Sequence, residues 1–249
     1  MLVNQIVQYY KAHSEERQKE LNSCILNNEN IKGIKSIHIL VEKEGIEEFE
    51  KIILSNRQKF VVNYTNCGQL LYSHLFEYCN KYLPNEVCMI THSDTMLISG
   101  FEKISYPELR SVDGIHNRFY AVSRHELNCE KMDCKGCCID ANQVTLSENK
   151  KLNQAFCLTG DVMDAFIFAT PVSEVIISRT KFQQNHWTCE NALIWLFKSF
   201  DYLVLNPAWI VIKHNHSGTG WSNTQRGSVV NEEDIFEGER ILGSCKRAW

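Results

Sequence analysis

His92-Ser93-Asp94 follows directly on the apolar run Glu86 to Thr91. A short apolar run of this kind reads as a fully buried strand. Polar residues at the carboxyl end of a buried parallel strand are where α/β folds place ligands. An Asp there, beside a His, can hold a divalent cation that is itself bound to phosphate oxygens; the same residues also suit the plainer task of capping the next element. His214-Asn215-His216 closes a second apolar stretch. Alternation along a strand puts both imidazoles on one face, where they can share a metal or stand as two partly exposed strand-end histidines. Cys189-Glu190-Asn191 opens a run in which Ala192, Leu193, Leu196 and Phe197 face inward. A carboxylate is favoured at a helix N-terminus by the dipole alone, and it is equally a candidate general base. Asp161 and Asp164 precede the apolar run AFIFA. An Asp entering a buried strand must find a partner or line a cavity, so it binds a hydroxyl ligand or caps a turn.

A separate cluster is rich in sulfur. Of eleven cysteines, Cys129, Cys134, Cys137 and Cys138 fall close together. His125, Cys129, Cys134 and Cys137 stand at H-x3-C-x4-C-x2-C, enough ligands for a tetrahedral structural zinc, with Cys138 as a spare. The spacing matches no common zinc module. Reduced thiols in an inserted loop, or a labile disulfide, are the expected state.

These residues need a scaffold, and the pattern around them predicts one. Ile6 to Tyr10 reads as a short strand. Ser14 precedes a helix over EERQKELNSCIL, with acids in its first turn and Leu21, Cys24 and Ile25 at helical spacing. Strands follow at Ser36 to Val41 and Lys59 to Tyr64. Cys67 to Leu83 reads as a helix with Leu71, Leu75, Tyr78 and Cys79 on one face, before the buried strand Glu86 to Thr91. Farther on, Phe119 to Ser123, Ala165 to Ala169, Tyr202 to Leu205 and Trp209 to Lys213 read as strands, and Glu190 to Phe200 as a helix. This order predicts a three-layer α/β fold with a mixed, mostly parallel central sheet. No repeat or linker divides it, so residues 1–249 are expected to form a single domain, with a Cys-rich inserted loop at about 126–150 and a polar C-terminal tail.

The order of motifs resembles that of a known family. A helix with ERQKEL, a strand SIHILVEKE, an apolar strand ending in HSD, YAVSRHE, GDVMDAFIF, CENALIWLF and DYLVLNPAWIVIKHNHS, with Arg226 downstream, looks like the GT-A-fold nucleotide-sugar glycosyltransferases. It is most similar to the small soluble domains of bacteria and large DNA viruses, over roughly residues 5 to 226. The resemblance implies that Asp94 matches the metal-touching acid of the family's Asp-x-Asp triplet. His92 stands where the family often has Asp or Asn, and would ligate the metal, contact the ribose or do neither. Either His214 or His216 matches the C-terminal metal histidine. Glu190 matches the helix-start base of inverting members, and Asp164 lies beside the acceptor or sugar. Arg124 and Arg226 would neutralise diphosphate or help close a loop, while Tyr10 and Glu42 would touch the nucleoside. Implied partners are a nucleotide-sugar donor, UDP-based by expectation, a glycan or other hydroxyl acceptor, and Mn2+ or Mg2+. A cation and basic side chains would stabilise the charge developing on the departing diphosphate.

Composition narrows the alternatives. Lys plus Arg number 26 against 30 Asp plus Glu, a formal net charge of -4. That is a poor basis for sequence-independent nucleic-acid binding. No stretch reaches the roughly 18 apolar residues of a membrane span, and the first residues show no basic leader before an apolar core, so the expected location is cytoplasmic. Two other functions compete: a metal-dependent hydrolase using His92, Asp94, His214 and His216, and a non-catalytic zinc or glycan-binding module. Neither a His-Glu-x-x-His motif nor an early His-x-His set supports the hydrolase. Trp187, Trp209 and Trp221 can stack on sugars, although core packing is the expected role of each.

Overall fold

The computed structural model describes residues 2–52, 58–110, 116–126, 163–184, 189–207 and 209–215, without the side chains of 124–126. Strand β1 (Val3–Tyr9) leads through α1 (Glu15–Asn28) to β2 (Ile34–Val41). A 3-10 turn and α2 (Ile46–Glu50) precede β3 (Phe60–Tyr64); α3 (Tyr72–Tyr82) then leads to β4 (Val87–Thr91). Next come β5 (Thr95–Ser99), α4 (Tyr106–Leu109), β6 (Arg118–Glu126), β7 (Met163–Ala169), α5 (Glu174–Arg179), α6 (Cys189–Ser199), β8 (Leu203–Leu205) and β9 (Val211–His214). The strands form one sheet in the order β3-β2-β1-β4-β7-β6-β9-β5, with β8 also beside β6. The β3-β2-β1-β4 half is parallel. β7 runs antiparallel between β4 and β6, β8 and β9 are parallel to β6, and β5 is antiparallel to β9. The sheet is therefore mixed and mostly parallel, as the sequence predicts.

Both faces of the sheet are covered. Ile6 and Phe166 join Leu75 and Phe76 of α3 and Leu193 and Phe197 of α6 in one apolar cluster. Val7, Ile39 and Ile167 join Ile25 of α1 and Phe101 in the other. Adjacent residues of β1 thus feed opposite cores, and every residue of the strand is buried, the amides Asn4, Gln5 and Gln8 included. Ser14 caps α1 as expected, its Oγ accepting the Arg17 N–H at 3.2 Å.

Helix α3 departs from the sequence reading. It starts at Tyr72, not Cys67, and its buried stripe is Tyr72, Leu75, Phe76 and Cys79. Tertiary bonds hold the preceding chain extended: the Leu70 N–H donates to Glu42 and the Tyr72 N–H to the Phe182 carbonyl. Leu71 becomes the cap residue, and Tyr78 is only partly buried, its hydroxyl meeting His38 and Asn63. β5, α4 and α5 have no counterpart in the sequence reading; each is a short element held by its partners more than by periodicity.

The turn out of β5 depends on Gly100, whose φ is 99°. A Cβ there would overlap the carbonyl oxygen of Trp209. Gly100→Ala is expected to destabilise the fold by on the order of 2–4 kcal/mol, combining left-handed backbone strain with overpacking. Urea unfolding of the variant and wild type measures it; a loss under half a kcal/mol contradicts the packing described.

Candidate active site

The turn His92-Ser93-Asp94 is held from three sides. The His92 N–H donates to the Asp164 carbonyl at 3.1 Å, and the Asn215 N–H donates to the Asp94 carbonyl at 2.9 Å. Ser93 Oγ donates to the Gln8 carbonyl at 2.6 Å. The ends of β7, β9 and β1 therefore fix a turn whose side chains are all buried.

Asp94 points to one side. His214 Nε2 lies 2.8 Å from its Oδ2, and the Arg17 guanidinium pairs with the same oxygen. Arg17 also donates to Glu20 at 2.9 Å and to the Asn215 carbonyl at 3.4 Å. The Tyr10 hydroxyl is within hydrogen-bonding reach of Arg17. Burial by itself would raise the Asp94 carboxyl. The hydrogen bond and charge of His214, then Arg17 and His92, overcome it and hold the group far below the ordinary carboxylate range.

His92 points to the other side. Its Nδ1 is 3.4 Å from Asp164 Oδ1, and its Nε2 is 4.0 Å from Glu190 Oε1. That Nε2 is buried without a hydrogen-bond partner among the described residues. Glu190 sits in the first turn of α6. Burial pushes its carboxyl up to about 7, with the neighbouring His92 opposing and Asp164 adding. A carboxyl group raised this far by desolvation, beside other titratable groups, is characteristic of functional sites.

A third group lies at the ends of β1 and β2. Glu42 Oε1 accepts the Leu70 N–H at 2.7 Å and also bonds the Gln8 amide. Burial raises the Glu42 carboxyl, and these two bonds oppose it. Tyr10 stands at the neighbouring strand end, partly buried.

Six residues singled out in the sequence thus gather around one turn and its flanking strand ends: His92, Asp94, Asp164, Glu190, His214 and Tyr10. Glu42 lies alongside, behind Gln8. Arg17 and Gln8 were not foreseen. The signal for Arg17 was its place in the first turn of a capped helix just beyond β1. Trp209 is partly buried and packs against one core cluster, edge-on to Tyr120 with ring centroids 6.2 Å apart. His216, Arg226, Asp161, Trp187, Trp221, Cys129, Cys134, Cys137 and Cys138 lie outside the described residues, as do the side chains of Arg124 and His125. No helix among the described residues is long and apolar enough to cross a membrane.

The donors on the Asp94 side are of the kind that hold a divalent ion, with the Arg17 guanidinium on the same carboxylate oxygen. The described residues contain no group of three His, Cys, Asp or Glu side chains poised around one ion. Asp94 and His214 offer a hard oxygen and an imidazole nitrogen at 2.8 Å. Two ligands bound side by side to one ion stand about 3 Å apart. Sites of this kind commonly take one or two protein ligands and complete the shell with substrate phosphates and water.

No protein-family model matches the chain, and no curated protein matches its sequence. Solved structures do. A mannosyltransferase from Pyrobaculum calidifontis, in complex with GDP-Man and Mn2+, superposes with a TM-score of 0.53 at 8% identity, covering 98% of this chain and 70% of that one. The fold is GT-A-like. At that identity the likeness concerns the fold alone. S. aureus TarS 1-349 in complex with UDP-GlcNAc (TM-score 0.48, 14% identity, 98% of this chain and 66% of that one) is too distant to add to the assignment. So is a 4-diphosphocytidyl-2C-methyl-D-erythritol synthase from Anaerococcus prevotii (0.43, 13%, 97% and 96%). This chain spans just under two thirds of that TarS fragment.

The Glu190 environment predicts a pH-dependent stability. Its folded pKa, about 7, lies above the ordinary 4.5. The fold therefore favours the protonated form, and the group's contribution is full below about pH 4.5 and lost as pH rises through 7. Glu190→Gln cannot ionise, so its stability relative to wild type should improve across this window by on the order of 3 kcal/mol. Urea unfolding of both proteins at pH 5 and pH 8 checks this; an unchanged gap excludes a buried, raised Glu190.

Proposed function

We propose that this chain transfers a sugar from a nucleotide-diphosphate donor, a UDP-sugar, to a hydroxyl of a glycan or other acceptor, with inversion and with the help of Mn2+ or Mg2+. One observation carries the reading. At a single three-residue turn, Asp94 meets His214, a pair suited to a metal, while His92 meets Glu190, a largely buried carboxyl raised to about 7. A GT-A-like fold supplies the setting. The hydrolase alternative needs His92 to join Asp94 and His214, whereas His92 turns toward Asp164 and Glu190.

The roles follow from position. Asp94 and His214 would hold the divalent ion, which when bound supplies positive charge where the diphosphate leaves. Tyr10 and Glu42 flank the nucleoside end, and Gln8 together with the Leu70 N–H keeps Glu42 in place. Glu190 accepts the proton of the acceptor hydroxyl as its oxygen attacks the sugar carbon. A carboxylate of pKa near 7 combines adequate basicity with a large ionised fraction at neutral pH. Asp164 fixes the His92 ring, and His92 in turn flanks Glu190 and limits where its carboxylate can swing. His92 and Asp164 are buried and the Glu190 side chain is only 17% exposed, which limits the water that can compete for the sugar.

Three measurements test this. UDP should raise the melting temperature more with Mn2+ or Mg2+ than with chelator, and Asp94→Asn should remove the difference, because the amide lacks the charge that holds the ion. Equal shifts with and without chelator would dismiss a metal-bridged donor. Glu190→Gln should bind UDP nearly as wild type and release it from a UDP-sugar, with acceptor present, about 10²–10⁴-fold more slowly. A near-normal rate takes Glu190 out of the mechanism and moves the base to Asp164.

A further inference from the structure

Arg17 is not among the residues the resemblance assigns, yet it makes the closest contact of the metal-suited pair. It reaches from the first turn of α1 to Asp94, 77 residues away in sequence. Its position is built: Ser14 caps the helix one turn earlier, and Glu20 and the Asn215 carbonyl take its other nitrogen. The side chains of Arg17 and Asp94 are only 14% and 10% exposed, so the ion pair is little screened by salt. Arg17 and His214 both engage Oδ2 of Asp94. Arg17 therefore competes with any cation that would bind there.

We propose that Arg17 is an exchangeable counter-ion that couples the divalent ion to the donor diphosphate. This rests on the glycosyltransferase reading above. A cation entering alone must take Asp94 from Arg17 and so break a mostly buried ion pair, which is unfavourable. A diphosphate entering with the cation supplies the missing acceptors. A guanidinium pairs with phosphate oxygens through two parallel N–H bonds, and the Tyr10 contact shows that Arg17 already faces the end of β1 where the donor is expected. Ion and diphosphate then bind cooperatively, and the coupling is reciprocal. Arg17 discourages the metal alone and favours the metal with the donor.

The test uses the full chain and two probes: Mn2+ alone, followed by the free-ion electron paramagnetic resonance signal, and UDP at saturating Mn2+, followed by calorimetry. In wild type, UDP should tighten Mn2+ binding. In Arg17→Gln, Mn2+ alone should bind at least about tenfold tighter and UDP with Mn2+ at least about tenfold weaker, the range expected for charge-assisted hydrogen bonds. A merely structural arginine would weaken both. Arg17→Lys keeps the charge and should hold Mn2+ alone near its wild-type affinity, with a smaller loss toward UDP. Unchanged or weaker Mn2+ binding by a folded Arg17→Gln overturns the proposal. If that variant does not fold, the wild-type and Arg17→Lys measurements decide: Mn2+ affinity indifferent to UDP, or clearly raised in Arg17→Lys, overturns it. UDP binding in wild type that is strong and independent of Mn2+ defeats the metal-assisted reading itself, whereas metal-linked binding untouched by Arg17→Gln defeats only the role of Arg17.

Discussion

An ionised carboxylate at the end of a buried strand is the constraint around which this site is organised. The residues of β4 are wholly buried, and Asp94 just beyond them is 7% exposed. An isolated charge there would cost several kcal/mol or be neutralised. It is instead paired with Arg17 and His214, residues 77 and 120 positions away. That requirement brings three elements together, α1, the turn after β4 and the end of β9. Asn215 reinforces the junction, with its side chain donating to Ser23 at 3.0 Å and its backbone to Asp94. The charges do not make the fold stable by themselves, since burying an ion pair roughly offsets its own attraction. They decide which ends of which elements must meet.

The central strand β1 contributes a second constraint through its amides. Gln5 donates to Thr91 Oγ1 at 2.9 Å and Asn4 to the Val87 carbonyl at 3.1 Å, which pins β1 against β4. Gln8 works at the site end of the same strand. Its carbonyl receives Ser93 while its side chain bonds Glu42. One residue therefore joins the candidate nucleoside end to the turn carrying His92 and Asp94. A shift of β1 would move both, so the buried amides of this strand have a positional role that apolar packing, being non-directional, cannot supply.

The parts legible in the sequence share a property: their signal is local. A β-branched run marks β2 and a short apolar run marks β4, Ser14 marks the start of α1, and acids or histidines at strand and helix ends mark Asp94, His214, Asp164 and Glu190. The parts that were not legible depend on partners distant in the chain. Nothing near Arg17 announces Asp94, and nothing near Gln8 announces Glu42. Helix α3 begins five residues later than its apolar pattern suggests because Glu42 and Phe182 capture backbone N–H groups ahead of it. β5 exists because β9 is there to pair with it. The zinc set and the choice between His214 and His216 stay expectations, the structure describing Asp94 beside His214 alone.

Two acids in one site end up with opposite tendencies, and their surroundings explain why. Asp94 and Glu190 are both withdrawn from water, which raises the affinity of each for a proton. Asp94 meets Arg17 and His214 at hydrogen-bond distance, and their effect exceeds that of burial. Glu190 has His92 no closer than 4.0 Å and Asp164 behind it, so burial prevails. Environments that push two titratable groups apart in this way divide labour between them. On the proposed function, the acid that stays charged suits a permanent attraction for a cation. The acid poised near neutrality suits a proton taken up once per turnover. His92 contacts Asp164 and Glu190, in a position where an Asp would have added a fourth carboxylate to the group. With an imidazole there, the site can lower Asp94 and still leave Glu190 near 7, which an extra carboxylate would have driven higher through repulsion.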